Sequence, residues 1–194
     1  MIEIKSGEEK EVSLQIKTLM IDPEEFGELD MSIVDVLQRI LYEENVSSEE
    51  LQKMFSSDET NSIELFTEAT LKLNQDGNVE LSYRENEDDK EMSTLSKIIF
   101  DPKAPELVVM TKEGALNTYL SFEQGATHVC TYDTPFMPFK VYVNSKKVDN
   151  RLLRDGVLKL NYVLNLNGTA PQHFVVDVLM KTVPSAAFEF LAEN

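Results

Sequence analysis

The chain has 194 residues and a mass of 22.1 kDa, which suits one domain with a single core. Hydrophobic residues make up 42% of the chain and exclude a disordered protein. The 18 basic residues stand against 35 acidic ones, giving a net charge of -17. A protein this acidic repels phosphate, so we expect neither nucleic acid nor an anionic membrane as its partner.

The first residues and the cysteine content bear on the cellular compartment. Residues 1–17 lack the basic stretch and apolar run of a signal peptide, and no apolar run approaches the ~20 residues of a membrane span. The single cysteine, Cys130, has no second cysteine with which to form an internal disulfide or a zinc site. We therefore expect a cytoplasmic protein with no metal and no other cofactor.

The first 62 residues combine one strand with a helical pattern. The strand runs from Glu11 to Ile21 and is ended by Asp22-Pro23. An apolar stripe at helical spacing follows Ser32, and Ser47 with Glu50 forms a capping box that begins a second short helix. Residues 1–62 hold 16 acids and 5 bases, so most of the negative charge lies here. We predict an acidic two-helix insertion over residues 23–62.

From Ile63 onward the hydrophobic period is two. Asp76-Gly77 is a hairpin turn signal, and further glycine turns divide the rest of the chain into strands. With the first strand this gives about ten strands and no crossover helices, which is typical of an antiparallel sandwich or barrel. One face of each strand is apolar, as a closed sheet requires. The prediction is one mainly β domain over residues 1–194, an antiparallel barrel with a helical insertion.

The last strand is apolar on both faces. Phe174, Val176 and Val178 form one row, while Val175 and Leu179 lie on the other. We therefore expect the outer row of this strand to be partly covered, with the helical insertion as the available cover.

Several stretches together resemble a known family. They include LSYRENEDDKEMSTLSKIIF, SFEQGATHVCTYDTPFMPFKVYVNSKKVDNRLL, GVLKLNYVLNLNG and the final FVVDVLMK. In this order they resemble the YwiB-like bacterial proteins, a family of unknown function with a calycin-like β-barrel. The resemblance covers nearly everything except residues 23–62 and the tail after Thr182. It implies a calycin or lipocalin-like barrel, a fold that in some proteins holds a small molecule, and it brings no catalytic residues.

Two positions depart from the pattern of that family. Lys112-Glu113-Gly114 stands where a basic residue and glycine are usual, and Met137-Pro138 stands where glycine is usual. Because of the second departure, we do not expect the bend near Phe136 to be the usual turn of the family, whereas we expect the flanking strands to be kept.

Motifs that carry catalysis or metal binding are weak in this sequence. No phosphate-binding glycine loop occurs, and His128 and His173 stand outside any ligand spacing. Cys130 in an apolar row is typical of inert packing. Five acidic residues lie in the hairpin that follows the Asp76-Gly77 turn and the strand after it: Glu85, Glu87, Asp88, Asp89 and Glu91. They lack the pattern of a calcium loop and indicate a solvated turn. We expect no catalytic residues, no metal site and no enzyme activity.

The interior of the barrel is the candidate site. If the alternation places Tyr83, His128, Tyr132 and Tyr162 inward, an apolar lumen contains a few polar groups, as small-molecule pockets usually do. The alternative is a filled core in which the tyrosines bond within the protein and Phe122 and Phe139 occupy the space. The sequence leaves both open.

Three functions follow from these patterns. The first is non-catalytic binding of a small apolar or amphipathic ligand in the lumen. The second is a protein-interaction module, in which the acidic insertion binds a partner or forms a homodimer. An enzyme of unknown reaction is the third.

Overall fold

A computed structural model gives the fold, and it describes six stretches of the chain: 2–21, 61–85, 93–114, 116–134, 137–166 and 171–182. Ten strands lie in these stretches: β1 (Glu9–Ile21), β2 (Asn61–Leu73), β3 (Val79–Glu85), β4 (Thr94–Asp101), β5 (Ala104–Glu113), β6 (Asn117–Glu123), β7 (Thr127–Asp133), β8 (Pro138–Arg151), β9 (Val157–Leu166) and β10 (Gln172–Thr182). One short helix, α1, spans Leu152–Asp155 between β8 and β9.

The ten strands form a closed antiparallel barrel. Each strand pairs with its neighbours in the chain, and β1 closes the ring because it pairs with β2 on one side and β10 on the other. This confirms the predicted mainly β fold and the expected number of strands. The predicted two-helix insertion falls almost wholly on residues 22–60, which lie outside the described residues, so it stays a prediction.

Alternation along the strands builds the core inside the ring. Residues at every second position point inward, and many of them have no surface accessible to water: Val12, Leu71, Val79, Leu81, Ile98, Val108, Phe122, Val141, Val143, Leu158 and Val178 are all 0% exposed. Burying this apolar surface is the main term that stabilises the barrel.

One end of the barrel, here called the plugged end, is closed by two chain segments. Leu152 of α1 is fully buried there, and the Ile2 amide donates a hydrogen bond of 2.6 Å to the carbonyl of Leu153. Ile2 and Ile4 pack against the core at this end. The helix ends at Gly156, whose positive φ of 74° lets its amide bond back to the Leu152 carbonyl.

The opposite end, here called the tyrosine end, is where β1–β2, β3–β4, β5–β6, β7–β8 and β9–β10 are connected. This arrangement follows from the antiparallel order, which places alternate connections at opposite ends.

The β6–β7 ladder is the shortest in the ring. It holds three residue pairs at the tyrosine end, from Asn117 with Asp133 to Tyr119 with Thr131. Beyond them the Cys130 thiol lies between the strands, and its Sγ accepts a hydrogen bond of 3.3 Å from the Ser121 amide. A side-chain contact thus takes the place of a ladder bond.

The outer wall is covered in one place. Val175 of β10 and its cross-strand neighbour Leu19 point outward by register, yet they are only 6% and 1% exposed. Leu179, further along the same outer row, is 41% exposed. The expectation that the outer row of the last strand is partly covered is therefore confirmed, with Val175 covered and Leu179 exposed. Within the described stretches, no helix has the length and apolar character that spanning a bilayer would require.

Candidate binding site at the tyrosine end of the barrel

A row of polar side chains crosses the inner wall near the tyrosine end. The row passes in register from β3 to β7, each member lying directly opposite the next. We call it the polar row: Tyr83, Ser96, Lys112, Thr118 and Tyr132. The next inward positions toward the plugged end are apolar, so the inner wall changes from apolar to polar within one step along each strand.

Glu85 joins the polar row from the end of β3. Its two carboxylate oxygens accept hydrogen bonds from the Ser96 hydroxyl at 2.7 Å and from the Lys112 ammonium at 2.8 Å. Ser96 is buried, whereas the side chain of Lys112 remains 41% exposed. Glu85 was predicted to lie in a solvated hairpin tip, and this is wrong, because it ends β3 and binds inner-wall groups. The other four tip acids lie outside the described residues.

Tyr83 is buried at the start of the polar row. Burial raises the pKa of its phenol well above the usual value, and the negative charge of Glu85 raises this pKa further. Hydrogen bonding with Ser96 lowers the pKa and partly offsets these effects. The hydroxyl of Tyr83 therefore has partners within the protein.

Tyr162 of β9 packs deeper, against two phenylalanines. Its ring lies 4.8 Å from that of Phe122 in a tilted contact and 5.1 Å from that of Phe174 in a stacked one. Burial raises the pKa of Tyr162 well above the usual value, and the nearby phenols of Tyr132 and Tyr83 add to this rise. The three tyrosines thus lie within electrostatic reach of one another. In the described part of the chain, no group forms a hydrogen bond with the Tyr162 hydroxyl.

Tyr132 ends the polar row on β7. Its side chain is partly buried, and this burial raises the pKa of its phenol, with a smaller contribution from the Cys130 thiol. Three of the four residues proposed from the sequence therefore form one group, here called the tyrosine cluster: Tyr83, Tyr132 and Tyr162.

His128 does not belong to this cluster. It shares the inward face of β7 with Tyr132, but it lies four residues nearer the plugged end, a separation of about 13 Å along the strand. There its Nε2 is 3.3 Å from a carboxylate oxygen of Glu123. The prediction that His128 lines the same site as the tyrosines therefore does not match its position.

The lumen is filled toward the plugged end. Phe122 is 0% exposed and contacts Tyr162 across the interior, although β7 and β8 separate their strands in the ring. No space wide enough for water touches such a side chain, so this part of the predicted lumen is packed core. Phe139 does not fill space as the filled-core alternative expected, because it lies at the tyrosine end and is 39% exposed.

A depression lies on the outer wall, across β10, β1 and β2. It is a groove of about 350 Å³ lined by Ser13, Leu14, Gln15, Phe66, Thr67, Glu68, Leu179 and Lys181. Phe66 is 69% exposed beside it. This groove is the alternative binding location to the tyrosine end.

Metal-binding groups are dispersed over the described residues. These residues contain no cluster of three or more histidine, cysteine or carboxylate side chains suited to a metal ion. Burial raises the pKa of the Cys130 thiol, which favours its neutral form and disfavours the thiolate that reactions require.

The pKa shifts of the tyrosine cluster predict a loss of stability in alkali. Unfolded tyrosines ionise near pH 10, whereas the folded ones hold their protons to higher pH. Above about pH 10 the unfolded chain therefore binds fewer protons, and the free energy of unfolding must fall as the pH rises. Urea denaturation between pH 9 and 11 measures this slope. Tyr162→Phe should make the slope shallower, and an unchanged slope in that variant would contradict the assignment.

The sequence analysis missed Glu85, Ser96, Lys112 and Thr118. The alternation did contain a signal for two of them, since Lys112 continues the inward row of Val108 and Met110, and Thr118 continues that of Leu120 and Phe122. The sequence alone therefore indicates these two polar residues, because each occupies an inward position in an otherwise apolar row.

Comparisons with known proteins agree with this fold. A family model described as Domain of unknown function (DUF1934) matches residues 39–178, which is 140 of the 194 residues. The crystal structure of the ywiB protein from Bacillus subtilis is similar, with a TM-score of 0.56 and 14% identity over 90% of this chain and 94% of that one. Among curated proteins, none matches.

The matched range differs from the resemblance seen in the sequence. It begins at residue 39, so it includes residues 39–62 of the stretch that the resemblance left out. It also omits β1, which closes the barrel in the structure. With most of its length matched and a ten-stranded closed barrel as its fold, the chain belongs to the DUF1934 family, the YwiB-like domains of unknown function.

Proposed function

We propose that the protein binds a small amphipathic molecule at the tyrosine end of the barrel, without catalysing a reaction. The observation that carries this proposal is the polar row on an inner wall that is mostly apolar. Polar groups placed inside a barrel cost stability compared with apolar ones. Binding sites are where proteins usually keep them, as a few polar groups above an apolar surface.

The packing limits where this ligand binds. Phe122 and the other inward residues that are 0% exposed leave no space for water beside them, so the ligand's apolar part rests on the floor formed by Leu120 and Met110. The ligand's polar part lies between the polar row and the tyrosine cluster. The proposed site is therefore shallower than the whole lumen that the sequence analysis considered.

The chemistry of the described residues supports binding over catalysis. Glu85 and Lys112 neutralise each other at 2.8 Å, and burial keeps the Cys130 thiol protonated. Neither arrangement provides an activated nucleophile beside a base. We also propose a cytoplasmic location. The free, buried thiol of Cys130 supports it, because thiols stay reduced in the cytosol.

The test uses a bulky residue at the proposed site. Thermal unfolding is followed with a panel of short-chain amphiphiles, and a ligand at 100 times its Kd should raise the unfolding free energy by about 2.7 kcal/mol. Thr118→Trp fills the inner wall between Lys112 and Tyr132, so it should abolish this stabilisation.

Thr131→Trp is the matched control. Thr131 lies on the adjoining strand β7, is exposed and points outward, so the same substitution there should leave the stabilisation intact. The proposal would be wrong if no amphiphile of the panel stabilised the protein, or if both variants lost the effect equally.

The alternative of a protein-interaction module rests on the acidic residues 23–62. All but the last two of these lie outside the described residues, so that function stays a prediction.

A further inference from the structure

The inference concerns the polar end of the ligand and rests on the function proposed above. Two hydroxyls on neighbouring strands lack hydrogen bonds in the described part of the chain, and only one of them is sealed from water. Tyr162 is 7% exposed, and Ser145, its partner in the β8–β9 register, is 0% exposed. The Oγ of Ser145 is buried with no hydrogen-bond partner, whereas the Tyr162 hydroxyl, which has no partner among the described residues either, remains in contact with solvent.

Of the two, only the Ser145 hydroxyl is costly in the folded protein, because water still reaches the hydroxyl of Tyr162. A buried polar atom without a partner loses its hydrogen bonds to water and costs about 1–3 kcal/mol. Tyr83, by contrast, bonds with Ser96 and Glu85. The difference singles out Tyr162 as the tyrosine whose hydroxyl is available to a ligand.

The protonation state of the Tyr162 hydroxyl determines which kind of ligand atom it can bind. A phenol is protonated at neutral pH, and burial raises the pKa of Tyr162 further, so this hydroxyl can donate a hydrogen bond to an oxygen acceptor. Tyr132, within electrostatic reach of it, has no hydrogen bond in the described residues either and is a second donor of the same kind.

Charge then decides between a neutral and an anionic acceptor. The positive charge of Lys112 is already paired with Glu85 at 2.8 Å, so the inner wall holds no uncompensated cation in its described part. The chain as a whole carries -17, and its field disfavours an anion further. A carboxylate would also lose its hydration on entering this wall.

We infer that the ligand presents a neutral carbonyl oxygen, as in a ketone, ester or amide attached to an apolar chain, to the Tyr162 hydroxyl. Tyr162 is then the residue that sets the specificity for the polar group, while the polar row positions the ligand at the tyrosine end.

Three eight-carbon probes test this inference with the full chain. They are 2-octanone, octanoate and octylammonium, which share one chain length and differ in the charge and hydrogen bonding of the polar end. We expect 2-octanone to bind at least tenfold more tightly than either ion, as measured by isothermal titration calorimetry at 0.15 M salt.

Tyr162→Phe removes the proposed donor. Its affinity for 2-octanone should fall about three- to tenfold, the worth of one hydrogen bond. The unfolding temperature of the free variant should be unchanged, because the hydroxyl that is removed forms no hydrogen bond within the described residues. Tyr83→Phe is the contrast, since loss of a bonded hydroxyl should lower the unfolding temperature.

The outcomes separate the two proposals. If an ion binds as tightly as 2-octanone, or if Tyr162→Phe leaves the affinity for 2-octanone unchanged, the carbonyl inference is wrong and the site itself stands. If none of the three probes binds the wild-type protein, the carbonyl inference falls. If the wider amphiphile panel also fails, so does the proposed function.

Discussion

Replacing Phe122 by alanine should lower the free energy of unfolding by about 3–5 kcal/mol, the usual cost of removing a buried aromatic ring. The side chain is 0% exposed and joins β6 to Tyr162 on β9 across the interior. Its loss removes that contact and leaves a cavity directly beneath the tyrosine cluster. Urea denaturation followed by circular dichroism measures the change.

Phe66→Ala is the control for this prediction. Phe66 lies on the outer face of β2 and is 69% exposed, so its replacement should change stability by no more than about 0.5 kcal/mol. Equal losses in the two variants would mean that Phe122 does not pack across the barrel interior.

Gly156→Ala should cost about 3 kcal/mol or more. The φ of Gly156 is 74°, a left-handed conformation that costs a residue with a Cβ roughly 1–2 kcal/mol. In addition, the new Cβ would overlap the carbonyl oxygen of Met180, and overpacking of this kind costs about 1–3 kcal/mol. The strained contact lies between Gly156, at the end of α1, and Met180 of β10, so we expect the substitution to destabilise the plugged end of the barrel.

Gly77→Ala separates the two contributions. Gly77 also has a positive φ, of 91°, but nothing lies within 4 Å of the position that its Cβ would take. It should lose only the backbone part, about 1–2 kcal/mol. If Gly156→Ala were no worse than Gly77→Ala, the close approach to Met180 would not exist in the protein.

The strands and their turns were predictable because their signals are local. Asp76-Gly77 was predicted as a hairpin turn, and the structure gives Gly77 a positive φ with its amide bonded to the Asn74 carbonyl at 3.0 Å. Each strand has one apolar face, which indicated a closed sheet. The four residues of α1 were missed because one helical turn is too short to show a hydrophobic period.

The site was only partly predictable, for a reason of geometry. Alternation assigns a residue to the inner or outer face, but the register between strands decides which inward residues share a level of the barrel. Tyr83 and Tyr132 both belong to the polar row that the register forms, whereas His128, inward on the same strand as Tyr132, lies near the plugged end. A correct face assignment therefore combined residues from two ends of the barrel.

The hydrogen bonding of the buried tyrosines could not be read from the sequence at all. Tyr83 and Tyr162 look equivalent in their alternating strands, yet one bonds with Ser96 and Glu85 and the other has no partner among the described residues. That difference depends on which side chains the register brings opposite each of them.

Nuclear Overhauser contacts between bound 2-octanone and aromatic ring protons test the binding claim most directly. With isotope-filtered spectra of the saturated complex, we expect contacts from the ligand chain to the rings of Tyr132 and Tyr162. Contacts to Phe66 instead would place the ligand in the outer groove, and a saturated sample with no contact to any tyrosine of the cluster would contradict binding at the tyrosine end.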